Sequence, residues 1–87
     1  MKWTVGWSPF ALNQLAELWL AASDREAITQ AVDEIDRQLR LDPLTQGESR
    51  TAGRRILFLP PLVVIFEVVE PDRKVSVLAV RRFGARA

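Results

Sequence analysis

The sequence predicts an α+β fold in which a small twisted antiparallel sheet packs against an N-terminal hairpin of two helices. Apolar residues recur at helical spacing through residues 9–41, whereas the segment from residue 54 onward consists of short runs rich in Val, Ile, Leu and Phe. Helices followed by strands are typical of α+β folds. A chain of 87 residues has too little interior to divide, so residues 1–87 are expected to form a single domain.

A short strand and a helix are predicted at the start of the chain. Residues 3–7 alternate between large apolar and smaller side chains, which indicates a strand. Ser8 then provides a typical N-cap, and Pro9 occupies the first helical position, where its missing N–H costs nothing. Together with the apolar spacing that follows, these two residues predict a helix over residues 9–22.

A second helix is predicted over residues 24–41. Ser23 and Glu26 have the spacing of a capping box, and Asp42-Pro43 ends the helical pattern. The apolar stripe of this helix consists of Ile28, Ala31, Val32, Ile35 and Leu39. Two amphipathic helices joined by so short a connection form an antiparallel hairpin with one apolar side.

Three strands are predicted after the polar segment 44–53. They cover residues 54–59, 62–69 and 74–82, which are rich in β-branched and aromatic residues. Pro60-Pro61 forces a turn between the first two, and Pro71 suits the second position of a type I turn between the last two. The last two strands therefore form a hairpin.

Both faces of this hairpin are largely apolar if Val69 lies opposite Lys74. Two helices can cover one face of a small sheet but not both, so the other face is predicted to be a partner surface. Its apolar members are Val63, Ile65, Leu78 and Val80. The alternative is that segment 42–53 or the C-terminal tail covers this face.

The composition excludes several kinds of chemistry. The chain has no Cys, His or Tyr, which excludes disulfides, thiol catalysis, Cys/His zinc sites and imidazole acid–base catalysis. We expect no metal and no cofactor, because no phosphate-binding glycine loop or ligand spacing occurs. The absence of a long apolar run and of cysteine predicts a soluble, cytoplasmic protein with no membrane partner.

Charge is distributed unevenly along a chain whose net charge is only +1. Residues 1–45 contain four basic and seven acidic side chains, for a sum of −3, whereas residues 46–87 contain eight basic and four acidic, for a sum of +4. This asymmetry indicates a local basic surface formed by the second half of the chain.

The ordered set of these features resembles the RelE/ParE family of toxins from bacterial type II toxin–antitoxin systems, including plasmid-stabilisation systems. The resemblance covers nearly the whole chain, although each motif is weak by itself. The matching segments are Trp3–Pro9, Leu41-Asp42-Pro43, Arg54-Arg55-Ile56, Val63–Val68 and Val77–Arg82.

The resemblance implies a growth-inhibiting toxin that a cognate antitoxin neutralises by lying across it, here along the predicted partner surface. It also implies two activities: RelE-like members cleave mRNA in the ribosomal A site, whereas ParE-like members act on DNA gyrase. Arg54 matches one basic site of the RelE-like enzymes. Ile56, Val63 and Phe83 fall where further basic or acid–base residues are expected, although a slip of one residue would bring Arg82 to the last position. The ribonuclease site is therefore depleted.

The remaining candidates are arginines and one carboxylate. If the protein is an enzyme, the predicted catalytic residues are Arg54, Arg82 and Glu67, with Arg82 and Glu67 on the same hairpin face. The arginines predicted to form a rim for a target or a phosphate are Arg50, Arg55 and Arg81. The alternative is that these arginines are solvated strand ends and that Glu67 faces solvent beside a basic side chain.

Three functional hypotheses follow. The first is a ParE-like toxin with a protein target such as DNA gyrase. The second is a RelE-like, ribosome-dependent endoribonuclease acting on mRNA. The third is a non-toxic homologue that forms a homodimer or only binds the antitoxin.

Overall fold

Two helices cover one side of a five-stranded sheet in the structure, a computed structural model that describes residues Lys2–Phe83. In chain order the elements are β1 (Thr4–Trp7), α1 (Pro9–Ala21), α2 (Arg25–Leu41), β2 (Glu48–Ser49), β3 (Arg54–Leu59), β4 (Leu62–Val69) and β5 (Lys74–Arg82). The predicted α+β class is confirmed. The bounds of the last three strands match the prediction, and each helix is one residue shorter than expected.

The sheet has the strand order β1-β5-β4-β3-β2. Strands β2 to β5 pair antiparallel, whereas β1 pairs parallel with β5, so the sheet is mixed rather than wholly antiparallel. The polar segment 44–53 contributes the two-residue edge strand β2, which pairs with Arg55 and Ile56 of β3. Within the described residues, no helix is long and apolar enough to cross a lipid bilayer.

The core lies between the sheet and the helices. The face of the sheet that the helices cover is called here the inner face. Its buried side chains are Leu57, Leu62, Val64, Phe66, Val75, Val77 and Val80, and the helices contribute Ala11, Ile28, Ala31, Ile35 and Leu39. Trp3 is buried beside them, whereas Trp19 on α1 is 41% exposed.

Helix α1 begins as the sequence predicts. The Ser8 hydroxyl accepts a hydrogen bond from the backbone N–H of Ala11 (3.0 Å), which satisfies one of the free donors of the first turn. At the other end, the Arg25 guanidinium donates to the carbonyls of Trp19 and Leu20 at 2.8 Å each. This guanidinium also lies 4.7 Å from the centre of the Trp19 ring.

Helix α2 does not begin with the predicted capping box. Its N-cap is Asp24 rather than Ser23, and the Asp24 side chain makes no capping hydrogen bond. That carboxylate instead accepts a hydrogen bond from the guanidinium of Arg82, 58 residues away. A tertiary ion pair has therefore taken the place of the local cap.

The β4–β5 hairpin keeps its predicted register only near the turn. Val69 lies opposite Lys74 and Glu67 lies opposite Ser76, as expected. Between Phe66 and Ile65 the register shifts by one residue at a β-bulge on β5. Every side chain of β5 beyond this bulge therefore lies on the opposite face from the one that simple alternation predicts.

The bulge changes the membership of the predicted partner surface. Ile65 lies opposite Ala79, and Val80 lies opposite the buried Val64. Val80 is only 2% exposed, so its predicted place on the partner surface is wrong. Leu78, the extra residue of the bulge, has no partner on β4 and is half-buried.

Contacts from α1 and its N-cap accompany the bulge. Strand β1 ends at Trp7, so beyond that residue β5 has no strand on this side. The Ser8 hydroxyl donates to the carbonyl of Leu78 (3.3 Å), and the Gln14 side-chain oxygen accepts from the N–H of Val80 (2.9 Å). Backbone groups that a strand partner would have satisfied are thus satisfied by side chains.

Candidate functional site

The side of the sheet opposite the helices, called here the outer face, carries half of the predicted site residues. Residues directly opposite each other on paired strands share a face, so the register defines its members. They are Arg54, Ile56 and Phe58 on β3, Val63, Ile65, Glu67 and Val69 on β4, and Lys74, Ser76, Ala79 and Arg81 on β5.

The centre of the outer face is apolar. Val63 and Ile65 on the central strand β4 and Ile56 on β3 are half-buried without any helix above them. Phe58 is 44% exposed, and its ring packs edge-to-face against Phe83 with 4.7 Å between ring centres. Three of the four residues predicted for the partner surface, Val80 being the exception, are thus partly accessible.

A polar row crosses the sheet at one end of this apolar centre. Arg54 on β3 lies opposite Glu67 on β4, which lies opposite Ser76 on β5, and Gly6 on β1 continues the row. Arg54 is exposed and Glu67 is half-buried. Among the described residues, Arg54 and Glu67 do not form an ion pair within 4.0 Å.

Two of the five candidate arginines are engaged beside β3. Arg50 forms an exposed ion pair with Glu48 at 3.1 Å. Arg55 donates from Nε to the carbonyl of Gln46 (2.8 Å) and from Nη2 to the carbonyl of Gly47 (3.2 Å). Arg55 therefore holds segment 44–53 against the sheet, which accounts for its position without any target.

A third candidate, Arg82, lies on the inner side of the sheet. It is opposite Leu62, and its guanidinium pairs with the Asp24 carboxylate at 2.5 Å. This hydrogen bond lowers the pKa of Asp24 and raises the pKa of Arg82. The expectation that Arg82 shares a face with Glu67 is wrong, because the bulge turns Arg82 towards the helices.

Arg54 and Arg81 are the two candidates whose guanidinium groups have, among the described residues, neither an acidic partner nor a hydrogen bond to a carbonyl oxygen. Both are exposed on the outer face, and within Lys2–Phe83 no carboxylate lies within 4.0 Å of either guanidinium. They lie two strands apart at opposite ends of the apolar centre. Their Cα atoms are two strand spacings apart across the sheet and four residues apart along the strands. These two offsets combine to a distance of about 16 Å.

The structure thus brings together only part of the predicted catalytic set. Arg54 and Glu67 are neighbours, whereas Arg82 is on the other side of the sheet and Arg81 lies on their face instead. Burial in the structure marks this exchange, because the buried positions that alternate at Val75 and Val77 resume at Val80, three residues later. Among the described residues, no group of three His, Cys, Asp or Glu side chains could hold a metal ion.

A second apolar surface, which the sequence pattern did not predict, lies between α1 and α2. This helical groove is lined by Leu12, Leu15, Ala16, Trp19, Leu20, Ile28, Thr29 and Val32. Leu20 is 67% exposed and Leu12 is 51% exposed. The available signal was that α1 has leucines outside its core-facing stripe, which is unusual for a helix packed on one side only.

Comparisons with known proteins identify the fold. No family model and no curated protein matches the sequence. Among solved structures, the toxin–antitoxin complex RelBE2 from Mycobacterium tuberculosis matches with a TM-score of 0.78 and 17% identity, over 98% of this chain and 95% of the other. A ParDE TA system from P. aeruginosa matches with a TM-score of 0.69 and 20% identity, over 93% and 96% of the two chains.

A third match extends the similarity to a toxin solved without its antitoxin. The isolated E. coli RelE toxin matches with a TM-score of 0.68 and 15% identity, over 97% of this chain and 87% of that chain. Matches at these identities and with this coverage establish architecture along nearly the entire length of the chain. The protein has the RelE/ParE toxin fold.

Proposed function

We propose that this protein is the toxin of a type II toxin–antitoxin pair, neutralised by a cognate antitoxin, and that it acts by binding a protein rather than by cleaving RNA. The fold supports the first part, since its structural neighbours come from RelBE and ParDE systems. DNA gyrase is the target that the resemblance to ParE implies. Gyrase acts in the cytoplasm, where the proposed toxin would meet it.

The observation that carries the second part is the apolar centre of the outer face. Cleavage of RNA through its 2′-hydroxyl needs a cation near the phosphate, where negative charge grows in the transition state. The resemblance implies a phosphate-binding arginine at the position of Val63, and the central strand carries the apolar side chains Val63 and Ile65 on this face. Arg54 and Arg81 lie on either side of Val63 and Ile65, and their Cα atoms are about 16 Å apart. A surface of this kind suits a protein partner, which replaces water over apolar side chains.

Two assays on the purified chain test the proposal. We expect the protein to inhibit supercoiling by DNA gyrase and to leave mRNA intact on translating ribosomes. Codon-periodic cleavage that Arg54→Ala abolishes would overturn the protein-target assignment in favour of the endoribonuclease. Neither activity, together with normal growth after induced expression, would leave only a non-toxic homologue that binds the antitoxin or itself.

One arrangement favours the endoribonuclease as the second candidate. Arg54 and Glu67 lie on adjacent strands, and a carboxylate beside a guanidinium can serve as a general base next to a phosphate ligand. If this arrangement were catalytic, Glu67→Gln would abolish mRNA cleavage while leaving the fold intact. We expect no cleavage activity for either the parent or this variant.

The antitoxin is proposed to cover Val63 and Ile65 on the outer face together with Leu78, the neighbouring bulge residue. We expect Ile65→Glu to weaken antitoxin binding by about tenfold or more, because a carboxylate would have to be desolvated there. Leu20→Glu is the matched control, since it puts the same charge into the helical groove. Loss of binding in Leu20→Glu with unchanged binding in Ile65→Glu would move the antitoxin to the groove and contradict the outer-face assignment.

A further inference from the structure

We infer that the outer face binds an extended segment of the antitoxin that carries two acidic side chains with an apolar side chain between them. This inference rests on the proposed function and specifies the chemistry of the partner segment. It follows from three properties of the outer face: which of its charges are free, what lies between them, and how far apart they are.

The first property is that two of the candidate arginines have no partner within the described part of the chain, whereas the other three do. Arg50, Arg55 and Arg82 are each engaged within the described part of the chain, by Glu48, by two backbone carbonyls and by Asp24, respectively. Arg54 and Arg81 have no such carboxylate and are exposed. Guanidinium groups pair with carboxylates and with phosphates in a planar two-point geometry, so these two positions select an anionic partner. The apolar surface between them favours a polypeptide, whose anionic side chains are carboxylates.

The second property is the apolar surface between these arginines. Ile56, Val63 and Ile65 form a continuous patch across β3 and β4, and all three are half-buried. A partner that offered only acidic side chains would leave this patch in contact with water. The segment therefore needs an apolar side chain over Ile65, whose burial adds to the affinity.

The third property is the distance between the arginines. Their Cα atoms are separated by about 16 Å, and in an extended chain residues i and i+4 are about 13 Å apart and point to the same side. Flexible arginine side chains close the difference. Two carboxylates at i and i+4 with an apolar residue at i+2 match the outer face in both spacing and direction.

Glu67 refines the register of this segment. It lies between Arg54 and Ser76 in the polar row, so a second carboxylate directly above it would be repelled. The acidic residue that pairs with Arg54 must then approach from the β3 side. A segment with acidic residues at i, i+2 and i+4, the three positions that face the sheet, would bind less well than a segment with acidic residues only at i and i+4.

The probe is the synthetic peptide acetyl-Ser-Glu-Ser-Leu-Ser-Glu-Ser-amide, added to the isotopically labelled full chain and followed by NMR. We expect amide shifts confined to β3, β4 and β5, and weaker binding when both Glu are replaced by Gln or when Leu is replaced by Ser. Arg54→Gln and Arg81→Gln should each weaken binding about two- to fivefold, the range of an exposed ion pair. Arg50→Gln, which removes an arginine already paired with Glu48, should leave binding unchanged.

Each other outcome contradicts the inference. Shifts confined to the helical groove, or equal binding of the Glu and Gln peptides, would exclude the acidic segment. Binding of a single-stranded RNA hexamer to the outer face without binding of the peptide would assign the two arginines to phosphate instead. The gyrase and growth assays are independent of this titration, so failure of the peptide with retained toxicity overturns only this inference.

Discussion

Arg81 and Arg82 are adjacent in the sequence but lie on opposite faces of the sheet. Arg82 ties the end of β5 to the start of α2 through Asp24, whereas Arg81 extends over the outer face without an acidic partner in the described chain. Of two adjacent arginines, one therefore stabilises the fold and the other remains available to bind a partner. The position of a single unpaired residue, Leu78, determines that Arg82 pairs with Asp24 and that Arg81 lies on the outer face.

Gly47 illustrates a second requirement at the scale of one residue. Its φ is +69°, and a Cβ atom at this position would overlap the carbonyl oxygen of Ile56. Gly53 has a similar φ of +73°, but a Cβ atom there would have no heavy atom within 4 Å. The two glycines therefore separate the cost of backbone conformation from the cost of a steric clash.

We predict that Gly47→Ala lowers the free energy of unfolding more than Gly53→Ala does. Gly53→Ala should cost about 1 kcal/mol, the strain of a left-handed residue with a side chain. Gly47→Ala should cost about 2 kcal/mol or more, since β2 must also move away from β3. Urea denaturation of the two variants measures the difference. Equal unfolding midpoints would show that β2 can move away from β3 without a cost in free energy.

At the scale of elements, β5 is the strand on which the sheet depends. Its first half is flanked by β1 and β4, and its second half is flanked by α1 and β4. The change of neighbour occurs at the bulge, where Gln14 of α1 supplies an acceptor to the N–H of Val80. A helix side chain thus replaces one rung of the β-ladder.

Removal of this acceptor should weaken the end of β5. We predict that Gln14→Leu lowers the free energy of unfolding by about 1–2 kcal/mol, because a part-buried N–H loses its only partner on that side. Amide exchange at Val80 should accelerate correspondingly. Asn13→Leu, on the exposed adjacent position, is the control and should change neither measurement; protection of Val80 that survives Gln14→Leu would show that the acceptor is dispensable.

The sequence predicted local elements well and long-range relations poorly. The bounds of β3, β4 and β5 follow from β-branched runs interrupted by Pro60-Pro61 and Pro71, which act within a few residues. The parallel pairing of β1 with β5 joins residues about 70 positions apart and leaves no local pattern. The bulge at Leu78 was missed because leucine suits either face, and this single shift misplaced Val80 and Arg82.

At the scale of the whole molecule, the absence of histidine and cysteine governs the response to pH. No side chain of this composition has an ordinary pKa between about 5 and 8. The carboxylates of Asp24 and Glu34 have lowered pKa values because Arg82, and Arg37 with Gln38, donate hydrogen bonds to them. Their contribution to stability is complete above the ordinary carboxyl pKa and is lost as the pH falls through the lowered value.

The unfolding temperature should therefore be nearly constant from pH 6 to pH 8 and should fall in acid. Asp24→Asn should unfold at a lower temperature than the parent at pH 7, and this difference should narrow as the pH falls below 3.8, the ordinary value for the Asp24 carboxyl. Thermal unfolding followed by circular dichroism at pH 7 and pH 2.5 measures both. A difference in unfolding temperature of the same size at pH 7 and pH 2.5 would mean that the ion pair with Arg82 contributes nothing to stability.

The parallel contact of β1 with β5 has a consequence for the order in which the protein can be made. On a ribosome β5 is synthesised after every other strand, yet it lies between β1 and β4 and completes both pairings. A nascent polypeptide that stops before residue 74 cannot close the sheet, and it lacks Arg81 altogether. Under the proposed function, chains that stop before residue 74 would be harmless to the cell that produces them, because toxicity would await the synthesis of β5.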